Sequence, residues 1–157
     1  MFESRQIAAS RIVFAGRLPD MADHLARYQS VDLFLDTFPY GAHTTASDAL
    51  WMGLPVLTRC GRSFASRVAS SLLHAVGLPE LVTHSAQAYE SLAIELALNP
   101  QRLSELKAKL NTNRLTSPLF NTPLFTKHIE SAYQTVHQRH LAGLEPKHIH
   151  LSNSTPL

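Results

Sequence analysis

A polar loop that leads into a helix-like stretch carries the residues of this chain best suited to hold an anion. The loop brings together one histidine and two threonines, His43, Thr44 and Thr45. Unpaired N–H groups at a helix start, with the positive end of the helix dipole, favour a bound anion such as phosphate. An imidazole beside a phosphate can donate a hydrogen bond and, when protonated, supply positive charge as a leaving group departs. The segment therefore predicts a nucleotide phosphate site.

The same segment also has a purely structural interpretation. Asp48 stands three residues after Thr45, which is the spacing of a capping box that satisfies helix N–H groups with no ligand. Thr44 or Thr45 could supply the cap itself, and a single loop histidine is more often an ordinary surface residue. These patterns alone leave both interpretations open.

A second candidate pair is His24 and Arg27, three residues apart in a stretch with helical spacing. Residues at this separation share one face of a helix. A flat imidazole and a planar guanidinium can stack on a nucleotide base and hydrogen-bond to it. Taken without further context, the pair fits a solvated helix face better than a base site.

An alternation of apolar runs and helical stretches would position these residues. Short apolar runs predict strands over residues 11–15, 31–36, 55–58 and 81–83, and helical spacing predicts helices over 20–29, 45–52 and 64–75. Parallel strands joined by such short connections need crossover helices. The expected fold class is therefore α/β, an open, doubly wound, Rossmann-like parallel sheet. Leu50 and Trp51 are expected in its core, because such side chains mainly contribute buried area.

The chain beyond Ser85 has a helical pattern only. Asn99 and Pro100 divide that pattern, because proline disfavours helix in the residue before it. A last helix is predicted over about residues 123–141. The apolar residues on one face of this helix are Phe125, Ile129, Tyr133 and Val136.

Length and composition fit one compact domain. The 157 residues are 45% hydrophobic, enough to bury one full core, so residues 1–145 are predicted to form a single domain and residues 146–157 a poorly ordered tail.

The net charge of +2 is too slight to indicate a nucleic-acid surface. Cys60 is the single cysteine, which excludes an internal disulfide and favours the reducing cytoplasm. No signal-peptide pattern or apolar run of about 20 residues is present.

Two histidine pairs near the end of the chain, His137 with His140 and His148 with His150, have spacings that could bind a metal. They lack cysteine or carboxylate partners at suitable distance, so surface histidines are the better interpretation and no metal site is expected. Ser66 and Arg67 follow Phe64 near a predicted helix start, where capping is a better explanation than a second phosphate site.

Several segments together resemble one family of enzymes. The longest is DTFPYGAHTTASDALWMGLPVLT at residues 36–58; shorter ones are RIVF at 11–14, HLARY at 24–28, FASRVA at 64–69 and SPLF at 117–120. They are similar to the donor-binding region of the O-GlcNAc transferase and SPINDLY-like glycosyltransferases, from about Arg11 to about Pro146. The resemblance implies the carboxy-terminal half of the catalytic region, a Rossmann-like lobe of a GT-B fold. An amino-terminal lobe and helical TPR repeats usually precede it.

The resemblance also implies roles for the candidate residues. In this family the matching positions contact UDP: the diphosphate through His43, Thr44 and Thr45, the ribose through Asp48, and the uracil through His24 and Arg27. Two residues depart from the family pattern. Met21 stands where animal members have a lysine, which removes a cationic donor to the nucleotide. Gly41 stands where bacterial relatives commonly have asparagine, which removes a side-chain contact in the loop.

The function implied by the resemblance is the UDP-GlcNAc-binding half of an inverting, metal-independent glycosyltransferase that modifies protein Ser or Thr. The catalytic residues would come from the other lobe, so we expect this chain to be a fragment or truncated gene product that is inactive alone. The expected partners are a UDP-sugar, the amino-terminal lobe with its TPR repeats and a protein acceptor, with no cofactor, nucleic acid or membrane. Without the other lobe, the apolar strip of the last helix would promote a homodimer or leave the helix frayed.

Two functions of other classes remain open. A non-catalytic interaction lobe with a vestigial anion site would have the same residues but bind no UDP. A dinucleotide-dependent enzyme is less well supported, because Gly-Arg-Leu-Pro at residues 16–19 lacks the glycines of the GxGxxG pattern.

Overall fold

Three short parallel strands form the sheet at the centre of the molecule. In the computed structural model, which describes residues 6–151, they are β1 (Phe34–Leu35), β2 (Val56–Arg59) and β3 (Val82–Thr83). The strand order is β1-β2-β3, and Phe34 pairs with Val56 while Thr58 pairs with Val82. Parallel strands require crossover connections, and helices supply them here. The predicted α/β fold with a parallel sheet is confirmed.

Six α-helices surround or follow this sheet within residues 6–151. They are α1 (Met21–Ala26), α2 (Thr44–Trp51), α3 (Val68–Ala75), α4 (Ala86–Leu98), α5 (Pro100–Thr116) and α6 (Thr122–Leu141). Short 3-10 helices occur at Ala9–Arg11, Arg27–Ser30, Pro79–Leu81 and Pro118–Phe120. Every predicted helix is present, and α3 begins four residues later than its apolar pattern suggested.

Side-chain caps explain where several of these helices begin. The Asp20 carboxylate accepts hydrogen bonds from the backbone N–H groups of Ala22 and Asp23 at the start of α1. The predicted break between α4 and α5 is confirmed: Asn99 Oδ1 accepts from Arg102 N at 3.1 Å, and Pro100 opens α5. Proline is favoured at this position because the first helical N–H has no partner inside the helix.

The hydrophobic core lies around β2, whose first residues are completely buried. Aliphatic side chains from four helices converge on it: Ala46, Ala49 and Leu50 from α2, Leu73 from α3, Leu96 from α4, and Leu106 and Leu110 from α5. Burial of each leucine or valine contributes about 1.5–3 kcal/mol relative to exposure. The core therefore fixes α2, and with it the loop that precedes α2, against the middle strand.

The apolar run at residues 11–15 does not form the predicted first strand. A 3-10 helix ends at Arg11, the chain from residue 12 onward is irregular, and the side chains of Val13 and Phe14 are 86% and 90% exposed. An apolar run becomes a strand only when a neighbouring strand pairs with it and another layer covers it. Neither happens among the described residues, so the prediction was wrong. β1 is also shorter than the predicted 31–36, since it pairs with β2 on one side only.

The prediction for Trp51 was also wrong, whereas that for Leu50 is confirmed. Leu50 is completely buried, but Trp51 at the end of α2 is 47% exposed. The buried face of α2 consists of Ala46, Ala49 and Leu50, and Trp51 is rotated about 100° from Leu50, away from that face. The Trp51 ring instead packs edge-on against Phe120, with ring centroids 5.1 Å apart.

The carboxy-terminal helix and the segment after it lie largely outside the core. α6 has no buried residue, and residues 146–151 have no regular secondary structure. Residues 152–157, like 1–5, lie outside the described part, so the tail and the domain limits at 145 and 146 stay predictions. Within residues 6–151, none of the helices has the length and hydropathy needed to cross a membrane.

Candidate functional site

The loop between β1 and α2 is organised by a buried carboxylate at the end of β1. Asp36 Oδ1 accepts hydrogen bonds from Thr37 N at 2.8 Å and from Ala42 N at 2.7 Å. Its other oxygen, Oδ2, accepts from the Thr58 hydroxyl of β2 at 2.6 Å. A buried carboxylate is tolerated where donors surround it in this way. The two ends of the loop are thus tied to each other and to the middle strand.

Gly41 joins this loop to the next one through a backbone hydrogen bond. Its N–H donates to the Ala65 carbonyl at 3.2 Å. A Cβ atom added to Gly41 would lie 3.0 Å from the Ala65 carbonyl oxygen and 3.0 Å from Asp36 Oδ2. The space that a side chain would need is therefore occupied, which gives a packing reason for glycine in this chain.

The polypeptide leaves this loop through His43, which is the N-cap residue of α2. The His43 carbonyl accepts from Ala46 N and Ser47 N, both at 3.1 Å. The backbone N–H groups of Thr44 and Thr45, in the first turn, have no hydrogen-bond partner among the described residues. Such first-turn donors are the groups that a helix offers to an anion.

The alternative interpretation of this segment as a capping box is wrong. The helix begins at Thr44, and no side chain caps it. A capping box needs an acidic side chain at the third helical position, but Asp48 is the fifth residue of α2. Thr44 and Thr45 cannot act as the N-cap because both already lie within the helix.

The imidazole of His43 lies between two aromatic rings. Tyr40 stacks on it with centroids 5.3 Å apart and planes inclined by 20°, and Phe64 meets it edge-on at 5.8 Å and 89°. The Nε2 atom of His43 is buried without a hydrogen-bond partner. The phosphate-site candidate is therefore a helix start with free N–H groups and a histidine held beside it.

The other candidate pair lines a separate cavity of about 520 Å³. Met21 and His24 of α1, with Arg27 directly after it, form one side, and the irregular segment at residues 15–20 forms the rest. Arg27 Nη2 donates to the Gly16 carbonyl at 2.6 Å, which anchors this segment. The expected shared face is confirmed, and the cavity has room for a planar ring.

Tyr28 connects the cavity with α2, and sequence reasoning gave it no role. Its ring meets the His24 imidazole edge-on, with centroids 5.6 Å apart. The pKa of Tyr28 is raised by burial first and then by the negative charge of Asp48, while Arg27 lowers it. The charges of Asp48 on α2 and of Arg27 therefore both act on the Tyr28 hydroxyl. The i, i+4 spacing from His24 to Tyr28 could have indicated this contact.

Two further features border the loop between β1 and α2. At the end of β2, the Arg59 guanidinium carbon lies 4.0 Å above the centre of the Phe38 ring, a favourable cation–π geometry. Before α3, Ser63 and Ser66 hydrogen-bond to each other at 3.0 Å and hold the turn. Throughout residues 6–151, no group of three or more His, Cys, Asp or Glu side chains is placed to hold a metal ion.

Comparison with protein-family models identifies the chain's relatives. The model described as glycosyl transferase family 41 matches residues 1–129. The chain belongs to glycosyl transferase family 41. The resemblance seen in the sequence is thereby confirmed, and the match includes all the candidate residues from His24 to Asp48.

Several curated members of family 41 are similar to this chain. The probable UDP-N-acetylglucosamine–peptide N-acetylglucosaminyltransferase SEC of Arabidopsis thaliana is 38% identical over 128 residues, 81% of this chain. The UDP-N-acetylglucosamine–peptide N-acetylglucosaminyltransferase of Caenorhabditis elegans is 36% identical over 152 residues, 97% of this chain. The probable SPINDLY enzyme of Hordeum vulgare is 40% identical over 124 residues, 79% of this chain. The chain spans only 13% of the length of each.

A solved family 41 structure shows the same fold. The structure of a mutant O-GlcNAc transferase of Thermobaculum terrenum superposes with a TM-score of 0.77 at 36% sequence identity. The superposition covers 85% of this chain and 25% of the other. The three-stranded parallel sheet and its helices therefore correspond to part of a larger glycosyltransferase, consistent with the carboxy-terminal lobe of a GT-B fold.

Proposed function

We propose that this chain binds the nucleotide part of a UDP-sugar donor for a family 41 glycosyltransferase. The observation that carries the proposal is the start of α2, where the N–H groups of Thr44 and Thr45 are free and His43 lies beside them. Free N–H groups and the helix dipole favour a diphosphate at this position. His43, Thr44 and Thr45 are accordingly the proposed diphosphate ligands.

The nucleoside would extend from this helix start toward α1. Asp48 lies one turn further along α2, where its carboxylate can accept a hydrogen bond from a ribose hydroxyl. His24 and Arg27 line the cavity of about 520 Å³ proposed for the uracil. The charge of Asp48 acts on Tyr28, whose ring contacts His24. This connection supports a continuous nucleotide site across α1 and α2.

The reaction proposed for the whole protein is inverting transfer of N-acetylglucosamine to Ser or Thr of a protein acceptor. The names of the Arabidopsis and Caenorhabditis relatives give UDP-N-acetylglucosamine–peptide transfer for those proteins, and membership of family 41 supports a related reaction here. In this proposal the groups that act on the acceptor come from an amino-terminal lobe, and this chain supplies binding energy and orientation for the donor.

Calorimetric titration of the 157-residue chain with UDP and with uridine tests the proposed site. We expect weak UDP binding, with a dissociation constant at or above about 0.1 mM, because half of a two-lobed cleft need supply only about 5 kcal/mol. Uridine should bind more weakly still, since it lacks the phosphates. A folded sample that shows no binding at millimolar UDP would contradict the proposal and favour a non-catalytic interaction lobe.

A further inference from the structure

We propose that the rings of Tyr40 and Phe64 clamp the His43 imidazole so that its Nδ1 atom, and not Nε2, faces the donor diphosphate. The inference rests on the proposed UDP site and assigns two positioning residues to it. Tyr40 contacts the imidazole in parallel and Phe64 contacts it perpendicularly. A tilt of the His43 ring would lose both contacts, so the pair fixes the plane of the ring. A half-turn about the Cβ–Cγ bond would keep that plane, and the different surroundings of the two ring nitrogens decide between the two half-turns.

The two ring nitrogens of His43 have different surroundings. Nε2 is buried without a partner, whereas Nδ1 is neither buried in this way nor hydrogen-bonded within residues 6–151. A buried donor with no acceptor and a buried acceptor with no donor both cost stability, and orphaned N–H donors are the rarer of the two in proteins. The neutral ring therefore favours the tautomer with its hydrogen on Nδ1, where the N–H group can reach an acceptor outside the loop. The donor nitrogen is then the accessible one.

The core does not explain the position of either aromatic ring. Tyr40 is 68% exposed and Phe64 is 74% exposed, so neither contributes much to the hydrophobic core. Their backbones are anchored separately: the Thr37 hydroxyl donates to the Tyr40 carbonyl at 2.6 Å, and Arg67 N donates to the Phe64 carbonyl at 3.0 Å. Two neighbouring loops thus each hold one exposed ring against His43.

A fixed imidazole would help the site bind phosphate. A donor already aimed at the ligand loses less conformational freedom on binding than one that must first be ordered. If the clamp is removed, His43 can populate both tautomers and several ring orientations. UDP affinity should then fall while uridine affinity stays the same, because uridine has no phosphate for His43 to contact.

Nitrogen-15 NMR of the histidine side chains measures the tautomer directly in the free 157-residue chain. The His43 signals can be assigned by their loss in His43→Ala. In the wild type we expect the tautomer protonated at Nδ1. In Tyr40→Leu and Phe64→Leu we expect mixed tautomers, and Tyr40→Phe, which keeps the ring, should restore the wild-type pattern.

Calorimetric titration of the same variants measures the consequence for binding. Loss of an aromatic contact should lower the affinity for UDP by about three- to tenfold in each leucine variant. Uridine affinity should change by less than about twofold, because uridine has no phosphate for His43 to contact. Phe125→Leu is the matched control, because Phe125 is another exposed aromatic residue, at 63%, but lies on α6.

Unchanged His43 signals together with unchanged UDP affinity in a folded Tyr40→Leu/Phe64→Leu double variant would overturn the clamp. The NMR measurement needs no ligand, so it separates this inference from the proposed function. If the wild type binds no UDP, the proposed function fails, and the tautomer signals alone decide whether Tyr40 and Phe64 orient His43.

Discussion

At the scale of single residues, the proposed donor site combines a side chain that holds the loop with side chains proposed to contact the ligand, all within a short stretch of sequence. Asp36 is buried and holds the backbone of the loop. His43 and Asp48 do not cap α2 with their side chains. Substitutions of these residues should therefore separate ligand binding from folding.

Replacement of His43 or Asp48 by alanine should alter ligand affinity in two distinguishable ways. His43→Ala removes a hydrogen-bond donor to a charged group. UDP affinity should therefore fall by about tenfold or more, while uridine affinity changes little. Asp48→Ala should lower the affinities for UDP and uridine to a similar extent, because both ligands contain the ribose. Calorimetry provides the affinities, and thermal unfolding should show little change for Asp48→Ala. If both variants bind UDP as the wild type does, these residues have no role in the site.

Replacement of Asp36 by asparagine should affect folding as well as binding. The amide group keeps one oxygen but cannot accept from all three donors, Thr37 N, Ala42 N and the Thr58 hydroxyl. An unsatisfied buried polar group costs about 1–3 kcal/mol of unfolding free energy, and UDP affinity should fall because the loop loosens. Urea denaturation measures the first effect.

Asp32→Asn is the matched control for this experiment. Asp32 forms an exposed ion pair with Lys107, with a side chain 82% exposed, and such pairs contribute at most about 1 kcal/mol. Equal unfolding free energies for Asp36→Asn and Asp32→Asn would show that the Asp36 hydrogen bonds do not hold the loop.

At the scale of secondary-structure elements, the site lies where loops follow the carboxyl ends of parallel strands. The Asp36 side chain follows β1, Arg59 ends β2, and both border the loop that precedes α2. Ligands bind at this edge in open α/β sheets because the strand ends and helix starts meet there.

α6 presents an uncovered apolar strip, as its sequence pattern predicted. Phe125, Tyr133 and Val136 are 63%, 68% and 54% exposed, whereas Ile129, the fourth residue of the predicted strip, is half-buried. Uncovered apolar surface promotes association or leaves a helix weakly held. We expect either a dimer through α6 or fast amide exchange in α6, while the amides of β2 stay protected. Sedimentation and hydrogen exchange measure the two outcomes.

Tyr133→Glu should reduce association if α6 mediates it. Leu98→Glu is the matched control, because Leu98 is 79% exposed but ends α4. A monomer whose α6 amides exchange as slowly as those of β2 would show that this chain covers the strip internally. That result would also argue against a missing lobe as the partner of α6.

At the scale of the whole molecule, stability comes from the core around β2 and not from the carboxy-terminal segment. The core residues extend from Ala46 to Leu110, whereas α6 and residues 142–151 bury no side chain. A chain that ends after Glu145 should therefore have a free energy of unfolding within about 0.5 kcal/mol of that of the full chain. It should also bind UDP equally well. Urea denaturation and calorimetry test this, and a larger loss of stability would show that the tail packs on the domain.

The sequence by itself determined the fold class, the helices and the break at Asn99 and Pro100. These features follow from local periodicity and from the backbone geometry of proline, which act over a few residues. The sequence also indicated His43, Thr44 and Thr45 as the candidate phosphate site, because a helix start is a local feature. Their role in UDP binding remains a proposal.

Only the tertiary structure decided which apolar segments are buried and which distant residues meet. Val13, Phe14 and Trp51 are exposed although their types favour a core, because burial depends on neighbours that local patterns do not specify. The contacts of Asp36 with Thr58, of Phe64 with His43, and the electrostatic effect of Asp48 on Tyr28 join residues about 20 apart in sequence. Such contacts arise when the chain folds around β2, so the precise arrangement of the site could not be predicted from the sequence.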